Sequence, residues 1–325
     1  MGHRARAAPS GHERSGSPAG GSARQIRKNA IVTAARGGGT LATVHQATIR
    51  TLLVDGDLTV GEFICPPGDH RWLDENDIGE GFHVVYPWTP VHIARRSMPA
   101  LVATPNHAVL YPPRLRFHRR HLCGEGDHCL FVILSPELRD ALIPRGDEPR
   151  LPDPVLAPTL WLGQRLLAEY LRRPDHDPVA AAAIVREVVG RTLAPAALPA
   201  PTTPAGGAVQ RSQELMASGT ERLLPLGRLA RETHYSPFHL LRAFHACTGY
   251  TVHQYHLQLR LRRSVDLVLA GVPLADVAFG LGFQGHSHFT SRFRRAFGWT
   301  PSALREIVEG GAAVPSLLSD LIAAA

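Results

Sequence analysis

Two stretches of the chain set polar and basic side chains opposite a committed apolar face. In Leu274–Pro301, Phe289, Phe293 and Phe297 recur every four residues and share one side of a helix that starts near His286. Ser287, Thr290, Ser291 and Arg294 then fall on the other side, with Gln284 and His286 at its start. Gln, Ser and His bond base edges, and Arg holds guanine or a phosphate. In an earlier stretch Leu240 and Phe244 form the inward stripe and leave Phe238, Leu241, Arg242 and His245 outward. Two apolar residues on an outward face suit contact with thymine methyl groups, or packing onto the preceding helix. The chemistry implied is recognition of a duplex.

Each of these helices follows a shorter one that must position it. Leu274, Val277, Ala278 and Leu281 stand at i, i+3, i+4 and i+7, and Gly282 ends that run in a left-handed conformation. Leu226, Leu229 and Ala230 begin the earlier copy, which breaks at Tyr235-Ser236-Pro237. The spacing Leu240–Phe244–Gly249 repeats as Phe289–Phe293–Gly298. The repeat reads as two helix-turn-helix units. Between them Val252–Ala270 is helical, with Tyr255, Leu259 and Val265 on the pattern and Arg260, Arg262 and Arg263 expected to be exposed, where they would neutralise phosphates.

Residues 208–305 resemble the DNA-binding domain of the AraC/XylS family of transcription regulators. The resemblance rests on Ser236, Leu240, Arg242, Phe244, Gly249, Tyr255, Arg260, Leu267, Val277-Ala278, Gly282-Phe283, Ser287-His288-Phe289, Arg292-Phe293, Gly298, Thr300-Pro301 and Arg305. It implies promoter DNA as partner, with RNA polymerase a further one. One departure is His234, where the family's first turn usually carries Gly. A non-Gly residue there takes a positive φ or reshapes the turn.

Charge follows the same division. Arg and Lys number six against one acidic residue in 1–28, 17 against 19 in 29–204, and 12 against 7 in 205–310. A basic C-terminal region suits a polyanion. Residues 1–29 are Gly-, Ser-, Arg- and Pro-rich and are expected to be a disordered basic tail. Residues 193–207, mostly Pro, Ala, Thr and Gly, read as a linker. They would leave a DNA-binding domain at 208–308 and a short apolar tail at 309–325 with no evident role, and a fragment of residues 208–325 is expected to fold and bind DNA alone. No apolar run approaches membrane-spanning length and residues 1–28 lack a secretory core, so the expected compartment is the cytoplasm.

Residues 30–192 read as the effector-binding part. Ile49–Val54 and Leu58–Cys65 flank the hairpin signal Asp55-Gly56-Asp57, and short strands follow at Phe82–Tyr86, Val91–Arg95, Ala100–Ala103, His107–Tyr111, Leu115–Leu122 and Cys129–Leu134. Many short strands suggest a barrel or sandwich. Pro67-Gly68, His70, Pro112 and Gly126-Asp127 resemble the cupin-like effector domain of the same family. His70, Trp72, His83 and Tyr86 are the candidate lining of a pocket for a small organic effector. Helices are expected at Pro136–Ile143, around Leu160, Leu167, Tyr170 and Leu171, and around Val179, Ile184, Val188 and Val189. The latter two either cap the barrel or pair with a second subunit in a homodimer. Gly163 on the first either counts against a helix there or marks a close helix contact.

The fold expected is therefore α+β and multidomain: a cupin-like β-barrel with two helices, then an all-α domain with two helix-turn-helix units. No cofactor or metal site is expected, since the histidines lack the H-x-H, Glu and His spacing of metal-binding cupins. Cys123 and Cys129 flank a turn between two strands and could face each other across a hairpin. No Ser-His-Asp order, P-loop or G-x-G-x-x-G supports an enzyme. The alternatives are a metal-dependent cupin-type enzyme and a regulator that senses a protein partner instead of a small ligand.

Overall fold

Asp55 pairs with Leu58 around the two-residue loop Gly56-Asp57, and Gly56 takes φ +41°, where Gly is at no steric disadvantage. This hairpin of β1 (Thr48–Asp55) and β2 (Leu58–Cys65) opens the structure, a computed structural model that describes residues 46–96, 98–143, 153–194, 206–219, 224–310 and 314–324. The expected basic tail and most of the expected linker (195–205) lie outside the described residues.

Seven more strands follow: β3 (Asn76–Asp77), β4 (Phe82–Pro87), β5 (Val91–Arg95), β6 (Leu101–Ala103), β7 (Val109–Tyr111), β8 (Arg116–His121) and β9 (Asp127–Leu134). They form two antiparallel sheets, ordered β1-β2-β9-β4-β7 and β3-β8-β5-β6. Val85, Val109, Tyr111 and Cys129 of the first meet Val91, Ile93, Ala103 and Phe117 of the second in one apolar layer. Pairing does not pass from one sheet to the other among the described residues, so the expected closed barrel is instead a sandwich. Three of the four sheet ends, β3, β6 and β7, are two or three residues long and present too few backbone groups to carry a ladder onward.

Strand alternation gives the larger sheet a second apolar face. Leu53, Val60, Val84, Tyr86, Leu130 and Val132 lie there against helices. Those helices are α1 (Pro136–Leu142), α2 (Pro158–Leu171) and α3 (Pro178–Leu193). Ser135 caps α1, and Asp177 caps α3 by accepting from the amides of Val179 and Ala180.

The described residues from 206 onward form no strand and carry the helices α4 (Gly206–Ala217), α5 (Leu226–Thr233), α6 (Pro237–Thr248), α7 (Val252–Leu269), α8 (Leu274–Gly280), α9 (His286–Phe297), α10 (Pro301–Gly310) and α11 (Val314–Ala323). The tail without an evident role is thus a helix. Its Val314, Leu317, Leu318, Leu321 and Ile322 are buried against α2 and α3. A Cβ on Gly163 of α2 would sit 3.4 Å from Ile322 Cγ1, which is the close helix contact the sequence allowed.

Two cores result. Ala208, Val209, Met216, Leu229, Leu240, Phe244, Tyr255 and Leu259 enclose one between α4, α5, α6 and the start of α7. The other is continuous from the larger sheet through α2 and α11 to Leu261, Val265, Val277, Phe289, Phe293, Phe297 and Leu304. The expectation that 208–325 folds alone therefore meets a core shared with residues 53–189. No helix among the described residues is long and apolar enough to cross a membrane.

Candidate nucleic-acid interface

In the first unit α5 ends at His234, which adopts φ 57°. The left-handed turn that Gly would take is kept by a residue that tolerates it less well. Its amide donates to Arg231 O at 3.2 Å and the next, Tyr235 N, to Ala230 O at 3.1 Å. Ser236 then caps α6 by accepting from His239 N, and Pro237 occupies the first turn. Leu240 and Phe244 are fully buried. Phe238 is 64% exposed and Leu241 38%, and Arg242 and His245 are also exposed. The Arg242 guanidinium lies 5.7 Å from the Phe238 ring centroid, a cation–π contact that covers part of that apolar surface. Gly249 ends the helix at φ 69°.

The second unit repeats this. Gly282 takes φ 65° after α8, and Phe289, Phe293 and Phe297 are fully buried, their rings meeting edge-on at centroid distances of 5.6 and 4.7 Å. Gln284, His286, Ser287, Ser291 and Arg294 are exposed, whereas Thr290 is half-buried. His286, Ser287, Thr290, Ser291 and Arg294 come together with Arg295 and Thr300 as the walls of an open groove between α9 and the start of α10. No carboxylate lines it. Arg295 and Thr300 were missed as site residues. Arg295 follows Ser291 by four residues, which was signal enough, but Thr300 lies beyond the left-handed turn at Gly298, outside the helical pattern of α9.

The arginines of α7 are a correction. Arg260 and Arg262 are buried, and Arg263 is half-buried and paired with Glu125. Arg260 Nε donates to Leu281 O at 2.5 Å beneath the Phe283 ring, and Arg262 donates to Pro105 O and to Leu156 O. The cause is the place of α7, whose Arg260 and Arg262 sides are covered by other elements. Long aliphatic stems pack there, and carbonyl oxygens take the guanidinium hydrogens. Burial pulls Arg262 down to about 10.

The four candidate effector residues are not brought together. His70 is exposed on a 3-10 turn. Half-buried Trp72 donates to Pro66 O and meets His121 edge-on at 5.0 Å. His83 and Tyr86 stand three apart on β4 and so face opposite ways. His83 looks into the sandwich near Phe131, held down to about 4 by burial, while the Tyr86 hydroxyl bonds Thr192 Oγ1 at 2.9 Å on the helix side. Inside the sandwich the sequence missed Arg119. Its Nη1 meets Asp127 Oδ2 at 2.9 Å, and its guanidinium lies 4.5 Å from the Phe63 ring and 5.2 Å from that of Trp72. Burial raises Asp127, and Arg119 opposes that shift. The alternation Phe117, Arg119, His121 was the available signal.

Cys123 and Cys129 do not flank a hairpin, because β8 and β9 belong to different sheets. Burial raises both thiols, and Cys65 to about 11. Among the described residues no three His, Cys, Asp or Glu side chains stand as a metal-binding group.

A helix-turn-helix domain family matches residues 229–307. The regulatory protein SoxS of Salmonella typhimurium is 32% identical over 98 residues, which are 30% of this chain and 92% of SoxS. The chain belongs to the AraC/XylS family of transcription regulators. Another relative, the right origin-binding protein of Escherichia coli K12, is 34% identical over 90 residues, 27% of this chain. The chain spans only 31% of that protein's length. Among solved structures, an AraC-type regulator from Chromobacterium violaceum is 26% identical at a TM-score of 0.31, covering 32% of this chain and 94% of its own. ToxT of Vibrio cholerae O395 is 12% identical at 0.32, covering 82% and 98%. At these TM-scores neither superposition bears on how the sheets and helices of this AraC/XylS chain are arranged.

Proposed function

We propose that the chain is a sequence-specific regulator of transcription that binds double-stranded promoter DNA through α6 and α9. One observation carries this reading. In both units the apolar side of the second helix is fully buried, and the other side offers Phe238, Leu241, Arg242 and His245, or His286, Ser287, Thr290, Ser291 and Arg294, with Gln284 in the turn before. Helices presented in this way enter a major groove, with Arg reading guanine or holding phosphate. Family membership supports the same use.

The sheets are proposed to sense a small effector, with Trp72, His83 and Arg119 on the sandwich side as contacts. His70 and Tyr86 have no part in it, being at the surface and on the opposite sheet face. A homodimer and RNA polymerase complete the proposed partners, in the cytoplasm. α2 is covered nearly all round, so a second copy would meet α3. The test is selection of duplexes from a random pool by the purified chain, then titration of the selected site with the wild type and Arg242→Ala. Failure to enrich any sequence would overturn the reading.

A further inference from the structure

The N-terminal region holds the two helix-turn-helix units by different means. The second unit is joined to it by an apolar core. Phe289, Phe293, Phe297 and Leu304 share one cluster with α2 and α11, and the Phe297 ring lies 6.2 Å from that of Trp161. The first unit has a core of its own, and polar groups join it to the sheets. The Tyr255 hydroxyl shares a hydrogen bond with Thr104 Oγ1 at 2.9 Å and accepts one from Gln213 Nε2 at 3.2 Å. Asn106 Nδ2 donates to Tyr255 O at 3.2 Å, Arg120 pairs with Glu214 at 2.7 Å, and Gln210 donates to Ala100 O.

This seam opens at lower cost than the apolar core. Released hydroxyls, amides and charges regain hydrogen bonds from water, whereas separated apolar faces gain nothing. Some polar atoms in and beside the seam lack a partner even when it is closed: Asn106 Oδ1 and His256 Nε2 have none among the described residues. α7 runs through both regions. From Leu261 onward it is fixed, by the shared core and by Arg262 on two carbonyls. At Tyr255 it meets the N-terminal region through the hydrogen bonds of the seam and the His107 ring at 5.9 Å, and there a side chain bonds into the helix's own carbonyl ladder, a site at which helices bend.

We propose that the first unit is hinged about α7 and the second is fixed, so that the seam at Ala100–Asn106 sets the separation of α6 and α9. On the reading that both helices face DNA, the N-terminal sheets thereby determine which half-site spacing the chain accepts. Adjacent major-groove faces recur about every 34 Å, and two reading helices on one chain fit both only at a matching separation.

The test uses the full chain with Thr104→Val and Tyr255→Phe together, which remove two hydroxyls and keep both shapes. Nitroxides carried on unnatural residues at Ala246 and Ala275 report the distance between the units, and a pair at Ala183 and Ala275 serves as reference. The wild type should give one narrow distance for each pair. The double variant should broaden the first and leave the reference narrow. A first pair that stays narrow would overturn the hinge, as would a reference that broadens equally, since the whole fold would then be loosened. On duplexes selected by the wild type, a spacer altered by about two base pairs should weaken wild-type binding by about tenfold and the double variant by about threefold or less. Equal losses would overturn the role in spacing. Selection of no duplex, with distances behaving as stated, would remove the DNA reading and leave the hinge.

Discussion

Arg262 of α7 donates from Nη2 to the carbonyl oxygen of Leu156 at 2.6 Å, and no carboxylate pairs with it among the described residues. The carbonyl of Pro105 takes a second bond. Arg262→Met keeps much of the packing and removes both donors. We expect a loss of about 1–3 kcal/mol, the usual cost of leaving buried acceptors unpaired. Urea unfolding of the variant and the wild type measures it. An unchanged midpoint would mean that water reaches these carbonyls.

For the DNA face, Arg242→Ala should cost about 1–3 kcal/mol of binding free energy if Arg242 reads a base through two bonds. Binding unchanged at matched salt, with helicity intact by circular dichroism, would assign Arg242 to the solvent.

Salt dependence separates the two classes of arginine. Arg294 and Arg295 are exposed at the groove of α9, and Arg260 is buried. Arg294→Ala should lower the slope of log K against log salt by about one. Arg260→Met should leave the slope alone, whatever it does to stability. A slope that falls for Arg260→Met would place that guanidinium on a phosphate.

Acid should destabilise the fold. Burial holds His83, His107 and His256 down to about 4, against an ordinary value of 6.5. Between those values the unfolded chain binds more protons than the folded one, so stability is complete above pH 6.5 and falls as pH drops toward 4. Glu62, lowered to about 2 because His128 and Arg172 outweigh its burial, extends the loss below pH 4.5. Buried His107 can account for on the order of 3 kcal/mol. Melting temperatures of wild type and His107→Gln across pH 4–7 check this, the variant being expected to show the shallower dependence.

Local chemistry was legible in the sequence and long-range packing was not. Asp55-Gly56-Asp57 specified a hairpin, and Phe289, Phe293 and Phe297 specified a buried stripe, because each depends on neighbours within a few residues. His234 followed from the turn it occupies. The arginines of α7 misled because exposure was inferred from charge, and only the fold shows that Pro105 and Leu156 stand opposite them. The effector residues failed for a reason that was open to view: His83 and Tyr86 cannot share a face of a strand. No local pattern could have paired Gly163 with Ile322.

That last pairing puts a clock on biosynthesis. The groove over Gly163 is filled by α11, and a ribosome reaches Ile322 only about 160 residues after Gly163, some 10–30 s later at roughly 5–20 residues per second. Throughout that interval the nascent chain carries α2 with one apolar flank bare. Nascent chains stalled before Val314 should therefore engage chaperones that full-length chains escape.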